Sequence, residues 1–370
     1  MNHFSSLTCK LLSKIEDDYN LAKKDKRKNF YSAHWDVFEE NKFDKILKLP
    51  HLWEKFLRNS ISIGFNDSMI SISNKRFEKD DNNYWNDLKS NYSEVLEKIP
   101  SDLETQKCIL ATTEFLLKTC GLQYLIKNKM SDIGDPQVFQ MNIKVNEETT
   151  IVSMNLHDLG EIYYKYEIEN SFKNFSQQNN LICEIGGGYG GMATKIKKNY
   201  KNFKYIIFDL PEVNAVQTYY LNKEFPDAKI YGYKDFLSNK KIMNENFDFL
   251  ILPGWTIKEL KDKSVDMFIN MRSIQEMNLK TIDFYFKELQ RTIRSDGIFT
   301  CINRYKKSSA SGECINFTDY PYDTNWNILK SKRSILQDQI HILVSKRDKN
   351  TNNEIINKKI FSMNNYHAEN

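Results

Sequence analysis

Residues 181–191 read LICEIGGGYGG: a short apolar run, then five glycines within six positions. Glycine lacks a Cβ, so such a turn can take positive φ, and a ligand can lie against bare main chain. The following GMATKIKKNY has helical character. Strand, glycine turn and helix in that order predict the first unit of a parallel α/β sheet, whose ligands bind beyond the carboxyl ends of the strands. Gly186, Gly188 and Gly191 match G-x-G-x-x-G in frame, a motif that serves both dinucleotides and S-adenosylmethionine.

The alternation continues downstream. KYIIFD is strand-like and PEVNAVQTYYLNKEF helical, with Pro211 in its first turn. AKIYGY, FDFLILP, VDMFIN and GIFTCIN are short apolar runs. NLKTIDFYFKELQRTIRSDG predicts a helix with Ile282, Tyr285, Leu289 and Ile293 on one stripe, stopped at Asp296-Gly297. WNILKS and QIHILVSKR follow one another without a long helix between them, as a terminal hairpin on the sheet would. The fold class expected is a Rossmann-like α/β sheet, mostly parallel with a C-terminal antiparallel strand, carrying an N-terminal mainly helical domain.

The first 130 or so residues are polar and helical in pattern. Ser101 and Glu104 make an S-x-x-E capping box before the apolar positions Ile109, Leu116 and Cys120. The segment HWDVFEENKFDKILKLPHLWEKFLRN reads as amphipathic helix. Val138–Val145 and Thr149–Met154 read as a hairpin turned by Asn146 and Glu147, with a helix from about Leu156. The boundaries expected are residues 1–175 for the helical domain, 176–348 for the sheet domain and 349–370 for a polar, frayed tail. Tyr163, Tyr164 and Tyr166 read as core or helix-packing residues rather than a ligand platform.

Charge excludes more than it suggests. Lys plus Arg number 53 and Asp plus Glu 49, a net +4 over 370 residues, which gives no electrostatic reason to expect nucleic acid or an anionic membrane. None of the six cysteines forms a C-x-x-C pair, and Cys183 and Cys301 fall in strand-like runs, as buried thiols of a reducing compartment do. No segment is long and apolar enough to span a bilayer. The expectation is a cytoplasmic protein, with the N-terminal helices as a possible dimer contact.

Two carboxylates bear on the cofactor. Asp209 ends the next strand, eighteen residues past Gly191, where it could accept hydrogen bonds from both hydroxyls of a ribose or cap the helix that starts at Pro211. Glu184 stands two residues before the first glycine. A pyrophosphate gains nothing from a carboxylate there, whereas the sulfonium and ammonium of S-adenosylmethionine do. At the acceptor end, VDMFINMRSIQEMN sets Asn270, Arg272, Ser273, Gln275 and Glu276 directly after an apolar strand, and GIFTCINRY ends in Asn303 and Arg304. Polar residues so dense after a strand suit a ligand-facing loop.

EIGGGYGG, FDLPE, LPGW, VDMFIN followed by S-x-QEM, CINR and DYP occur here in an order that resembles the bacterial sugar O-methyltransferases, over roughly residues 134–347. The resemblance implies S-adenosylmethionine held by Glu184, Gly186, Gly187, Gly188, Tyr189, Gly190, Asp209, Leu210 and Asn270. It implies a sugar or glycan acceptor, a small molecule or lipid- or nucleotide-linked, met by Glu212, Arg272, Ser273, Gln275 and Arg304, and surface glycan biosynthesis as the setting. Arg272 is an unusual neighbour in that box and leaves room for an anionic sugar. The sulfonium is already activated, so the chain must align a hydroxyl and take its proton; Glu276 is the first candidate base and His157 the second, with Asn303 or Gln275 orienting the hydroxyl. No oxygen cluster suited to a hard cation stands out, and no metal is expected. An NAD-dependent oxidoreductase on the same fold, and a degenerate methyltransferase-like binding protein, are the alternatives; nucleic-acid methylation lacks both a motif and a basic excess.

Overall fold

The computed structural model describes residues 6–25, 54, 103–129, 131–136, 139–145, 148–154, 156–170, 180–308, 313–334, 336 and 339–348. The segment 34–59 read as amphipathic helix (apart from Glu54), the capping serine Ser101, the turn residues Asn146 and Glu147, and the tail from 349 lie outside these. The chain divides into two compact units, one of residues 1–53, 174–333 and 339–370, the other of 54–173 and 334–338. The division expected at residue 175 groups the first helix with those that follow it; by packing, that helix joins the sheet unit.

The smaller unit holds α2 (Leu103–Cys120), α3 (Leu122–Lys127), the hairpin β1 (Phe139–Val145) and β2 (Glu148–Met154), and α4 (Leu156–Glu169). The two strands pair antiparallel from Phe139 opposite Met154 to Val145 opposite Glu148. The tyrosines of α4 pack. Tyr163 meets Phe115 edge-on at 5.6 Å, Tyr166 meets Tyr124 at 6.2 Å, and the Tyr164 hydroxyl lies 3.1 Å from Ser334 Oγ. Lys165 is fully buried and is held by Glu169 and by the Tyr124 hydroxyl at 3.2 Å, the pairing a buried ammonium requires.

The larger unit opens with α1 (Ser6–Lys24). Ile15, Tyr19 and Ala22 are buried at helical spacing, and α1 packs on α6 (Pro211–Glu224) and α7 (Tyr233–Ser238). Asp18 accepts the Lys234 amide at 2.6 Å, Lys14 donates to the Ile230 carbonyl at 2.7 Å, and Asp25 accepts from the Tyr233 hydroxyl. A Cβ on Gly232 would stand 2.0 Å from Asp18 Oδ2, so a side chain there would push the Asp18 carboxylate from its place.

The sheet has eight strands in the order β11-β12-β8-β7-β3-β4-β6-β5. They are β3 (Leu181–Ile185), β4 (Lys204–Asp209), β5 (Ile230–Tyr231), β6 (Phe249–Pro253), β7 (Val265–Met271), β8 (Ile293–Arg304), β11 (Trp326–Arg333) and β12 (Ile340–Arg347). The first six run parallel, and β12 lies antiparallel between β8 and β11. This is the sheet expected from sequence. Every residue of β3 and β6 is buried, because helices cover both faces of a parallel sheet. α5 (Gly191–Asn199) follows β3, α6 follows β4 and α8 (Leu279–Thr292) precedes β8; a short hairpin, β9 (Lys306–Ser308) and β10 (Cys314–Asn316), follows it.

The helix expected to run to Asp296 ends four residues sooner, at Thr292. The Lys263 and Ser264 amides take the carbonyls of Arg291 and Thr292 at 3.2 and 2.7 Å, and Ile293 turns extended while staying buried. Its apolar side chain fits the helical stripe and the strand equally well, so periodicity alone could not place the end.

Candidate active site

The glycine turn joins β3 to α5. Gly186, Gly188 and Gly190 have φ of 73°, 56° and 100°, a region costly for residues with a Cβ. At Gly186 a Cβ would also land 2.0 Å from Ser273 Oγ and 2.2 Å from Ser273 Cβ, and at Gly187 it would meet Ile207 at 2.8 Å. The turn is thus wedged between β4 and the loop after β7. Tyr189 turns its ring into the protein, edge-on to Tyr220 at 4.9 Å, so what it can offer a ligand is main chain.

Asp209 ends β4, partly exposed. Its Oδ1 accepts the Leu210 amide at 2.8 Å and its Oδ2 the Gln217 side-chain amide at 2.8 Å. Burial raises its carboxyl to about 7, against hydrogen bonds from Leu210, Gln217, Gly187 and Gly188 that pull it down. The helix-cap role considered for it is not what it does: the N-cap of α6 is Leu210, with no side-chain cap. Gln217, which the sequence did not single out, bridges Asp209 to the Gly188 carbonyl at 2.9 Å and accepts from Asn214 at 3.1 Å. Glu184 is buried beneath the turn, accepting the Tyr205 hydroxyl at 2.9 Å. Glu212 sits in the first turn of α6, partly exposed.

At the other end, the polar residues after β7 divide. Asn270, Gln275 and Asn303 are buried and satisfied within the chain. Asn270 donates to the Ile185 carbonyl at 2.7 Å and to Ser273 Oγ at 2.5 Å. Asn303 donates to Asn270 Oδ1 at 2.7 Å, and Gln275 Oε1 takes the Arg304 amide at 2.6 Å. Ser273 donates to the Ile185 carbonyl at 2.9 Å. These side chains, expected to face cofactor or acceptor, tie the ends of β3, β7 and β8 to one another. Asp266 is likewise structural, holding the Leu181 amide at 2.6 Å and Arg294 at 2.7 Å.

The remaining residues carry charge outward. Glu276 closes a 3₁₀ turn, partly exposed, with Lys307 of β9 at 2.6 Å. Arg272 is partly exposed in the left-handed region, φ 63°. Arg304 leaves the end of β8 half-buried. His157, on α4 of the smaller unit, lies 3.5 Å from Glu161, one turn along.

Residues 125–236, which include the glycine turn and Asp209, match the family model described as an O-methyltransferase domain. This stretch, under a third of the chain, is similar to an O-methyltransferase domain. Among solved structures, the methyltransferase sheet is similar to the mitomycin 7-O-methyltransferase MmcR, at 14% identity and a TM-score of 0.31, over 52% of this chain and 57% of that one. Geranyl diphosphate C-methyltransferase from Streptomyces coelicolor A3(2) aligns at 12% and 0.35, over 52% of this chain and 78% of that one. A SAM-dependent methyltransferase from Aquifex aeolicus aligns at 14% and 0.33, over 50% and 89%. No curated protein matches the chain. No helix among the described residues is long and apolar enough to cross a membrane.

Proposed function

We propose that this chain transfers the methyl group of S-adenosylmethionine to a hydroxyl of a sugar, as a step in building a surface glycan. The observation that carries the cofactor half is the carboxylate of Asp209 at the carboxyl end of β4, tied to the glycine turn by Gln217, which also donates to the Gly188 carbonyl. The sugar rests on the order of motifs from the glycine turn through QEM and CINR.

The donor set suits such a cofactor. Asp209 is the acceptor for ribose hydroxyls, which would share or displace the Gln217 amide that now occupies Oδ2. Gly186, Gly188 and Gly190 let the cofactor touch main chain, with Leu210 continuing the wall. Glu184 sets a carboxylate under a ligand that bears a sulfonium and an ammonium, where burial strengthens the attraction. S-adenosylmethionine, when bound, supplies a methyl on an already activated sulfonium. What the chain must add is alignment and a proton acceptor. Glu276 is assigned that proton, with Lys307 fixing its carboxylate. Asn303, fully buried, is assigned to bracing the loop rather than to touching a hydroxyl. His157 belongs to the smaller unit, where Glu161 engages it.

The test is incubation with methyl-labelled S-adenosylmethionine and a panel of nucleotide sugars and glycan extracts. Label on a sugar oxygen is expected. Label found only on protein or nucleic acid, or failure of S-adenosylhomocysteine to bind in calorimetry, would refute the reading.

A further inference from the structure

Arginines in this unit are mostly matched. Arg291 holds Glu288 and Asp262, Arg294 holds Asp266 and Arg347 holds Asp323. Arg272 and Arg304 differ: among the described residues neither guanidinium has a carboxylate within ion-pair distance, and the nearby carboxylate, Glu276, is taken by Lys307. The Nε of Arg304 is buried with no hydrogen-bond partner, a position that costs free energy unless something fills it. Burial, and then repulsion from Arg272, pull the Arg304 guanidinium below its ordinary value.

The backbone brings the two together. Met271 pairs with Ile302 across β7 and β8, and the Arg272 amide donates to the Ile302 carbonyl at 2.7 Å. The Arg304 amide is pinned by Gln275. Arg272 sits here in the left-handed region, φ 63°, a conformation that residues with a Cβ adopt at a cost. Strain of that kind gathers at ligand sites. β7 lies one strand and β8 two strands from the glycine turn, on the side away from Asp209. Arg304, at the end of β8, therefore lies two strands from the glycine turn, away from Asp209.

We propose that Arg272 and Arg304 together seat an oxyanion carried by the acceptor, a phosphate or carboxylate group on the molecule that is methylated. Resting on the methyl-transfer reading above, this narrows the acceptor to an anionic one. Guanidinium forks match phosphate and carboxylate oxygens and supply the partner that Arg304 lacks.

The test titrates inorganic phosphate, glucose 1-phosphate, glucuronate and glucose, at constant ionic strength, into protein saturated with S-adenosylhomocysteine. Calorimetry reads the affinities of the wild type and of the Arg272→Gly, Arg304→Gln and Lys240→Gln variants. Inorganic phosphate is expected to bind the wild type, and at least one anionic sugar to bind tenfold or more tighter than glucose. Whichever is tighter names phosphate or carboxylate as the source. Arg272→Gly and Arg304→Gln should each weaken the anions at least fivefold. S-adenosylhomocysteine affinity should stay within twofold, and Lys240→Gln should change nothing. Arg272→Gly relieves the left-handed backbone, so a loss there is not a loss of folding. Anions that bind no better than glucose, or that bind the arginine variants as well as the wild type, overturn the proposal. So does S-adenosylhomocysteine affinity that falls by the same factor, which would give the guanidiniums to the cofactor's own carboxylate. A wild type that binds no S-adenosylhomocysteine sinks the methyl-transfer reading itself.

Discussion

The strand ends on either side of the glycine turn solve opposite problems. At β3 and β4 the chain satisfies its own polar groups: Asp209 is held by Leu210 and Gln217, and Glu184 by Tyr205. At β7 and β8 an inner layer is equally closed, through Asn270, Asn303 and Gln275, yet among the described residues Arg272 and Arg304 stand outside it without carboxylates. A site built for one unvarying cofactor can be shaped from main chain and buried bonds. A site that must admit and release an acceptor keeps its charges free for it.

The largest expected effect tests the outer layer. Glu276→Gln should lower turnover by about 10²–10⁴-fold, the range for losing a general base, with S-adenosylhomocysteine affinity unchanged. Label-transfer kinetics and calorimetry read the two separately. Full turnover in this variant would place the proton acceptor elsewhere.

The inner layer should fail differently. Gly186→Ala forces a Cβ at positive φ into Ser273, and should cost about 2–4 kcal/mol from backbone strain and overpacking, measured by urea unfolding. Gly186→Ala with Ser273→Gly should recover part of that, since the second change removes the clash and leaves only the φ cost. A double variant no more stable than the sum of the singles would mean that the turn and the loop after β7 are not wedged together.

That wedge marks the limit of what the sequence discloses. The glycines, Asp209 and the polar box after β7 stand out because each is a local pattern: a turn that needs positive φ, a carboxylate at a strand end, polar residues following an apolar run. The alternation of strands and helices likewise follows from local periodicity, including the terminal hairpin. Partners dozens of residues away leave no such trace. Nothing in the order of residues says that Ser273 fills the space of a Cβ on Gly186, or that Gln217 bridges Asp209 to Gly188. Asn270 and Asn303 look like ligand contacts for the same reason, since a buried network and an open site draw on the same residue types. The end of α8 is set by the Lys263 and Ser264 amides, a tertiary contact. Asp18 and Gly232 stand far apart along the chain and are close only once α1 has docked.

Asp209 gives a pH test of the cofactor half. Its carboxyl is raised to about 7 in the ligand-free fold, and hydroxyl donors from a ribose favour the ionised form. Binding should therefore release a proton below pH 7. S-adenosylhomocysteine affinity should rise from pH 6 to 7 and level off by pH 8, by at most about tenfold per pH unit below the midpoint. Asp209→Asn should bind more weakly and lose the slope. Stability moves the other way: with the folded pKa above the unfolded one, this group's contribution is full below pH 4 and is lost as pH rises through 7. A wild-type affinity that is flat across this range would show that the ribose does not engage this carboxylate.

The smallest effect asks how firmly the acceptor loop is held at its far end. Asn278 caps α8, its Oδ1 accepting the Thr281 amide at 2.8 Å, two residues after Glu276. Asn278→Ala should cost about 1 kcal/mol of stability, the usual worth of such a cap. Because the cap touches the loop and not the glycine turn, the variant should raise KM for the acceptor severalfold while leaving S-adenosylhomocysteine affinity alone. A matching loss at both sites would mean that the inner layer transmits loop disorder to the turn through Asn270 and Ser273, and that the two halves of the cleft are stabilised as one.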